Sequence, residues 1–558
     1  MKILSNLGEI KPIIHNDKII SISFSYKDYD VTFKDSKQML IGSLKSLGKS
    51  FGVETLKSIF PYNFVNENNL DYIGPIPDFK YFDGISSLDY NCYIENYNIW
   101  NLRDESIKYC EIDCISLHQV IFKFTEMIFD LFGKNVHNYP TLPSLAFAIF
   151  RSNFMEENSI PQLSGKISKD IRQGYTGGAV DMYIPYNKKA VKVKGYDVNS
   201  LYPSRMRDCD MPVGNPIFFK GDIRLIDANA FGFFYCEIIA PDKIKHPILQ
   251  THVKTHGGIR TIAPIGIWED MLFSAEMDNA KKYGYQFKIL WGYKFERKII
   301  FKSYVDNLYS LRQQFPKTNP LNYIAKILLN SLYGRFGMDD NFTEVNIIHK
   351  DYIADFENKF LENIITKTEL EDYYLLEIKN NEEIVEDENS THNINVGIAS
   401  AITAYSRILM TIFKNNPKIN LYYTDTDSAY TDSDLDETFI SETVLGKLKL
   451  ENTCNKAIFL APKVYCLETE DNNFIYKVKG LKHEIELTKS DFESLLFKDA
   501  FLQKSQSKWF RNLSEGQINI LEQVYTLKVT ENKRQLIYKN NKLIGTKAYK
   551  IDKAKDIR

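Results

Sequence analysis

The sequence predicts a mixed α/β chain of the α+β kind, built from several domains. Three observations lead there. The chain has 558 residues, which at roughly 150 residues per domain gives about three or four domains. Short alternating apolar runs, suited to half-buried strands, are mixed with stretches whose apolar residues recur at three-and-four spacing. With 44% hydrophobic and 25% charged residues, the chain is too apolar to be disordered and too evenly charged for a fibre.

The elements follow in order. KIISISFSY (18–26) alternates and reads as a strand. Asp113 to Phe132 has helical spacing and reads as an amphipathic helix. NYPTLPSLAF (138–147), punctuated by Pro140 and Pro143, connects into another helix. The Gly-bearing turn GYTGGAVDMY (174–183) precedes a strand in VKVKGYDVNS (191–200). From Pro212 to Trp291 short strands and Gly/Pro turns surround one helical stretch. Residues 298–336 read as two helices broken at FPKTNP (315–320). An acidic segment follows, with Asn-rich edges at 380–395. A helix at 396–414 then leads to an apolar strand and turn, NLYYTDTDSAY (420–430). The end of the chain mixes helices and strands with many Lys. No internal repeat or low-complexity linker is present.

The formal charge of −2 conceals opposite extremes. Residues 501–558 carry 13 Lys/Arg against 5 Asp/Glu, or +8, and 351–388 carry 3 against 13, or −10. Neutrality therefore does not exclude a polyanionic partner. No apolar run reaches the roughly 18 residues of a membrane helix. The first residues lack a continuous apolar stretch and a small-residue cleavage site, so no secretory signal is expected there. The seven Cys (92, 110, 114, 209, 236, 454 and 466) include no CxxC pair. That argues against structural zinc and for a reducing compartment. Only 14 of the 70 basic residues are Arg. Abundant Lys, Asn, Ile and Tyr point to A/T-rich codons, as in many organelles and selfish elements.

Three segments carry chemistry. In YDVNSLYPS (196–204) a strand delivers Asp197, and the chain then turns into a helix. Phosphoryl transfer uses such a carboxylate to hold Mg²⁺, with backbone donors nearby for phosphates. Taken alone, an Asp at a strand end beside capping Ser and Asn is the plainer reading. In YTDTDS (423–428), Asp425 and Asp427 lie close enough to repel unless a cation neutralises them. Alternation puts both on one face, although a tight turn would splay them. A solvated Asp-rich hairpin is the competing reading. In KILLNSLYG (326–334), Lys326, Asn330 and Tyr333 share one helix face at i, i+4 and i+7. They would present a cation, an amide and an aromatic plate, while Ile327, Leu328 and Leu332 form the apolar face. Gly334 permits close approach. In this order the three segments make a two-metal nucleotidyl-transfer site. Two Mg²⁺ ions about 4 Å apart would activate a 3′-hydroxyl and neutralise departing pyrophosphate.

DVNSLYPS, KILLNSLYG and YTDTDS resemble motifs A, B and C of family B DNA polymerases. Tyr175-Thr176-Gly177-Gly178 is similar to the family's YxGG element, and Lys463-Val464-Tyr465 to its KxY element. The spacings resemble the protein-primed branch of certain phages and mitochondrial linear plasmids. The resemblance implies a right-hand polymerase preceded by an exonuclease-like domain. It implies metal binding at Asp197 and Asp427 with Asp425 alongside, and Mg²⁺ as two ions. Tyr202 resembles the steric gate against ribose, and Lys326 the triphosphate ligand. Asn330 shares the nucleotide-facing side of that helix, and Tyr333 resembles the residue that packs on the nascent base pair. Tyr175, Gly177, Gly178, Lys463 and Tyr465 resemble primer and DNA contacts. Template DNA, dNTPs and a terminal protein whose hydroxyl starts synthesis are the implied partners. A mitochondrial or linear-plasmid gene product is the implied setting, with the cytoplasm as alternative and secretion not expected.

The implied boundaries are a partial exonuclease-like domain (1–150), a linker with YxGG and the first palm segment (151–210), and an insert between motifs A and B (211–297). Fingers (298–337), a second, acidic insert (338–395), palm with motif C (396–490) and a basic thumb (491–558) complete them. Tyr109 and Asp113 fit the third exonuclease motif, Tyr-x-x-x-Asp, and Ser43-Leu44-Lys45-Ser46-Leu47 resembles a single-strand-binding element. No Asp-x-Glu precedes Tyr109, and Tyr29-Asp30 is a poor second motif. The chain is thus expected to begin inside the exonuclease domain and not to proofread alone, with Tyr109 and Asp113 retained for packing. Half a domain would leave a sheet edge and an apolar face uncovered, or would fold poorly. A reverse-transcribing polymerase would more usually show adjacent Asp-Asp. A catalytically dead relic that binds DNA or terminal protein is the alternative from a different class.

Overall fold

The computed structural model describes residue 4 and residues 7–15, 18–157, 159–255, 257–338, 343–360, 363–379, 395–482, 485–512 and 517–553. The Asn-rich edge of the acidic segment, 380–394, lies outside them.

A seven-stranded sheet occupies the centre. In spatial order its strands are Phe474–Val478, Val464–Thr469, Leu448–Ala461, Val193–Val198, Ser428–Thr431, Leu421–Asp425 and Val180–Met182. All neighbours pair antiparallel. The apolar run before Asp425 is buried on both faces of the sheet, so it reads as continuous rather than alternating. This topology sets the end of the Val193–Val198 strand directly beside the 425–428 hairpin.

Helix Val396–Met410 packs against helices Gly165–Gln173, Leu201–Asp208 and Pro320–Phe336 and against strands Met211–Lys220 and Ile265–Phe273. With the turn that follows, Val396–Phe413 is long and apolar enough to cross a membrane, contrary to the sequence reading, but 78% of it is buried inside the protein. It is apolar all round because it is a core helix. The two expected helices at 298–336 are Lys302–Gln314 and Pro320–Phe336. The second starts where Asn319 caps it and Pro320 takes the first helical position.

The N-terminal region is joined to these helices by one continuous core. Phe150 lies 4.9 Å from Phe301, Phe147 5.3 Å from Phe336, and Phe51 6.2 Å from Tyr323. The strand at Lys18–Tyr26 is as expected and sits inside a three-stranded meander. The helix expected from Asp113 begins earlier, at Leu102, and runs 31 residues to Phe132 under an Asn101 cap. Its outer face exposes Ile115, Phe122 and Phe129. An apolar stripe is thus uncovered in this chain, while the opposite side of the helix is packed.

Both expected inserts form sheets. The first supplies four of five strands in a sheet whose edge is completed by Lys550–Asp552, running parallel to Ile265–Phe273. The chain's end therefore returns to the 211–297 region. The second forms a three-stranded sheet from Thr343–His349, Tyr373–Lys379 and Ile364–Leu370. Among its described residues Glu344, Glu369, Glu371 and Asp372 are exposed, while Leu370, Leu375, Leu376 and Ile378 are buried. After residue 491 a two-stranded ribbon, Leu502–Asn512 with Gln517–Leu527, projects Trp509, Ile520 and Val524 into solvent.

Candidate active site

The 425–428 turn decides where its carboxylates point. Asp425 pairs with Ser428, leaving Thr426 and Asp427 as a two-residue turn. Thr426 takes φ 56°, a left-handed conformation uncommon for a β-branched residue. Alternation therefore fails here, and the two aspartates diverge. Asp425 turns to Lys463, whose Nζ donates to both carboxylate oxygens at 2.7 and 2.9 Å. Asp427 turns into a cleft of about 730 Å³ that it shares with Asp197. The two segments are tied directly, since the Val198 N–H donates to the Asp427 carbonyl at 2.9 Å.

This floor is short of positive charge. Burial pushes the Asp197 carboxyl up to about 7, and repulsion from Asp427, Glu451 and Asp425 adds to the effect. Asp427 is raised as well, first by burial, with Asp425 and Glu451 repelling it and Lys463 opposing. Carboxylates held together at this cost call for a cation. Among the described residues no three or more His, Cys, Asp or Glu side chains form a ready-made metal cage. Asp197 and Asp427 fit the usual Mg²⁺ arrangement, in which one or two carboxylates are completed by water and substrate phosphates.

The opposite wall is basic and aromatic. Lys326, Asn330 and Tyr333 all line the cleft from one helix face, as their spacing predicts, while Leu328 and Leu332 are buried behind them. Tyr202, from the helix after Asp197, lies with its ring centroid 4.4 Å from that of Tyr333. Arg312 and Lys317 join this wall, and Glu451 and Lys449 join the floor. Sequence reasoning missed them. The available signal for Glu451 was its position two residues after Lys449 on a strand, which puts both on one face. For Arg312 it was a basic residue in the last turn before the helix break.

The 175–178 turn lies against the catalytic hairpin. A Cβ on Gly178 would come within 2.5 Å of Thr426 Cγ2, whereas one on Gly177 would meet nothing within 4 Å. The Thr426 N–H donates to the Ala179 carbonyl at 3.0 Å. The turn's carbonyls are held from outside. Arg407, buried and doubly bonded to Glu276, donates to those of Thr176 and Gly177, and Gln250 also donates to that of Gly177. Tyr175 packs beside Gly337 at the end of the 320–336 helix.

Lys463 and Tyr465 separate. Lys463 remains half-exposed at the hairpin, while Tyr465 lies in an aromatic cluster with Tyr423, Tyr430 and Phe459. Tyr109 and Asp113 are neighbours on helix Leu102–Phe132. The Tyr109 hydroxyl meets that of Tyr62, and Asp113 sits 3.6 Å from Lys57. One Asp113 oxygen is buried without a hydrogen-bond partner.

Comparison with known proteins adds relatives to this geometry. The family model "DNA polymerase type B, organellar and viral" matches residues 1–420. A probable DNA polymerase of Ascobolus immersus is 38% identical over 99% of this chain and 47% of its own length. One of Neurospora intermedia is 38% identical over 92% of this chain and 55% of its own. The chain thus spans about half the length of these curated relatives. Among solved structures, Phi29 DNA polymerase with primer-template DNA and incoming nucleotide superposes with a TM-score of 0.64 at 19% identity, over 93% of this chain and 85% of that one. At that identity the likeness shows a shared right-hand fold.

Proposed function

Because the chain belongs to the organellar and viral family of type B DNA polymerases, we propose that it adds deoxynucleotides to a primer hydroxyl on a DNA template. One observation carries this reading: two under-compensated carboxylates, Asp197 and Asp427, share a cleft with a wall of Lys326, Arg312 and Lys317. The floor suits cations and the wall suits a triphosphate. Asp197 and Asp427 would hold two Mg²⁺, which supply hydroxyl activation and charge neutralisation when bound. Lys326, Arg312 and Lys317 orient the phosphates. Asn330 and Tyr333 line the side on which the base pair would rest. Asp425 acts on Lys463, holding its ammonium beside the hairpin, where a primer end would approach.

Tyr202, which lines the cleft beside Tyr333, would act as the steric gate against a ribose 2′-hydroxyl. A primer-extension assay tests both points. The wild-type chain should lengthen a primed template with dNTPs in preference to rNTPs. Tyr202→Val should narrow that preference by about tenfold or more with dNTP use largely retained. Unchanged discrimination in the variant would remove Tyr202 from this role.

We further propose protein priming, with a terminal-protein hydroxyl replacing the primer end, and replication of a linear plasmid-like element in mitochondria. Membership of an organellar and viral family and the A/T-biased composition support this. Proofreading is proposed to be absent from this polypeptide alone, supported by the pairing of Asp113 with Lys57. A mismatched 3′ end should therefore survive incubation with Mg²⁺. Excision that disappears in Asp113→Ala would sink that proposal.

A further inference from the structure

We infer that Tyr309 and Gln313 are positioning residues that strap the last turn of the first fingers helix to the palm and so hold Arg312 in the nucleotide cleft. The inference rests on the polymerase reading above.

The strap begins at motif A. The Asn199 side chain donates to the carbonyls of Ser441 and Val444 at 2.7 and 3.2 Å, and its backbone bonds to Lys447 and Gly446 at 2.9 Å each. Those four bonds fix the loop 441–447 two residues from Asp197. The loop presents the Thr443 carbonyl to helix Lys302–Gln314. Tyr309 Oη donates to that oxygen at 2.5 Å and Gln313 Nε2 donates to it at 2.9 Å. Both of the carbonyl's acceptor directions are thus used by one helix. Between them on the same face, Arg312 donates to Ser200 Oγ at 2.9 Å.

The helix's other side is anchored by Tyr304, Val305 and Leu308, all buried in the core. Those contacts fix its body. Its last turn, which carries Arg312, is capped by the Asn322 side chain, which donates to the carbonyls of Arg312 and Phe315 at 2.7 and 2.8 Å, and is tied toward the cleft by the three polar contacts. Ser200, the acceptor for Arg312, takes a left-handed conformation at φ 53° between Asn199 and the helix that follows. A free arginine would sample many rotamers, and ordering it in advance lowers the entropic cost of gripping a triphosphate. The strap therefore acts on nucleotide affinity more than on the chemical step.

The test is steady-state incorporation on a primed template by Tyr309→Phe, Gln313→Met and the double variant. Tyr309→Phe removes only a half-buried hydroxyl, and Gln313 is exposed, so folding should survive; thermal melting checks this. The double variant should raise the dNTP KM roughly threefold to tenfold. Its kcat at saturating dNTP should stay within about twofold, with primer-template affinity unchanged. In an Arg312→Ala background the same pair should add little further to KM, because their effect runs through Arg312. An unchanged KM in the folded double variant overturns the strap while leaving the polymerase reading intact. So does a full additional effect without Arg312. No incorporation by the wild-type chain would overturn the polymerase reading, and the strap with it.

Discussion

Asp427→Asn should abolish primer extension, by about a thousandfold or more, while the protein still binds primed DNA and melts no lower than wild type. A thousandfold corresponds to about 4 kcal/mol of lost transition-state stabilisation. Asn keeps the shape but removes the charge that would hold Mg²⁺ beside Asp197. The stability half follows from the sign of the shift. A carboxyl whose pKa is raised on folding is penalised whenever it is ionised, so its cost appears above the unfolded value of about 4. Burial and the neighbouring carboxylates raise Asp427 in this way. At neutral pH without Mg²⁺, Asn removes that repulsion, so the variant is expected to melt at or above the wild-type temperature. Asp197→Asn should behave alike, because burial raises Asp197 to about 7. Added Mg²⁺ should stabilise the wild type more than either variant. A variant that melts markedly lower would mean the carboxylates serve the fold rather than the chemistry.

Gly178→Ala should cost about a hundredfold in kcat, against about threefold or less for Gly177→Ala. The two glycines are neighbours, yet their surroundings differ completely. An added Cβ at 178 meets three atoms of Thr426 at 2.5, 2.8 and 2.9 Å, and one at 177 meets none within 4 Å. Thr426 cannot simply swing away. It sits at φ 56° with its N–H bonded to Ala179. The clash must move the turn itself, and the turn carries Asp427. Misplacing a reacting group by about 1 Å can cost about a hundredfold. Thr426→Gly removes all three contacting atoms and suits a positive φ, so it should restore part of the activity of Gly178→Ala. Equal effects at 177 and 178, measured by single-turnover extension, would refute this link.

Much of the site was legible because its signals are local. The i, i+4, i+7 face of Lys326, Asn330 and Tyr333 depends on helix geometry alone, and it lines the cleft as expected. The strand-to-helix delivery of Asp197 and the helix break at 315–320 are likewise short-range features. What failed depends on chain segments far apart. The tight turn expected to splay Asp425 and Asp427 does so, but the partner that claims Asp425, Lys463, is distant in sequence. Arg312 and Glu451 enter the cleft by tertiary placement from unrelated segments. Lys550–Asp552 is too short for any periodicity to show, although it adds an edge strand beside Ile265, 285 residues earlier in the chain. The helix expected at Asp113 starts eleven residues sooner because its first turns are polar and their start is set by the Asn101 cap.

The central claim is that the cleft between Asp197, Asp427 and the Lys326 wall transfers template-selected nucleotides. Single-nucleotide incorporation by the purified wild-type chain tests it most directly. Four primed templates differing only in the next base would each be offered the four dNTPs separately. The expected result is Mg²⁺-dependent addition of the complementary nucleotide on each template, abolished by EDTA. Tight binding of the same DNA with no addition on any template would contradict it and leave a DNA-binding relic in its place.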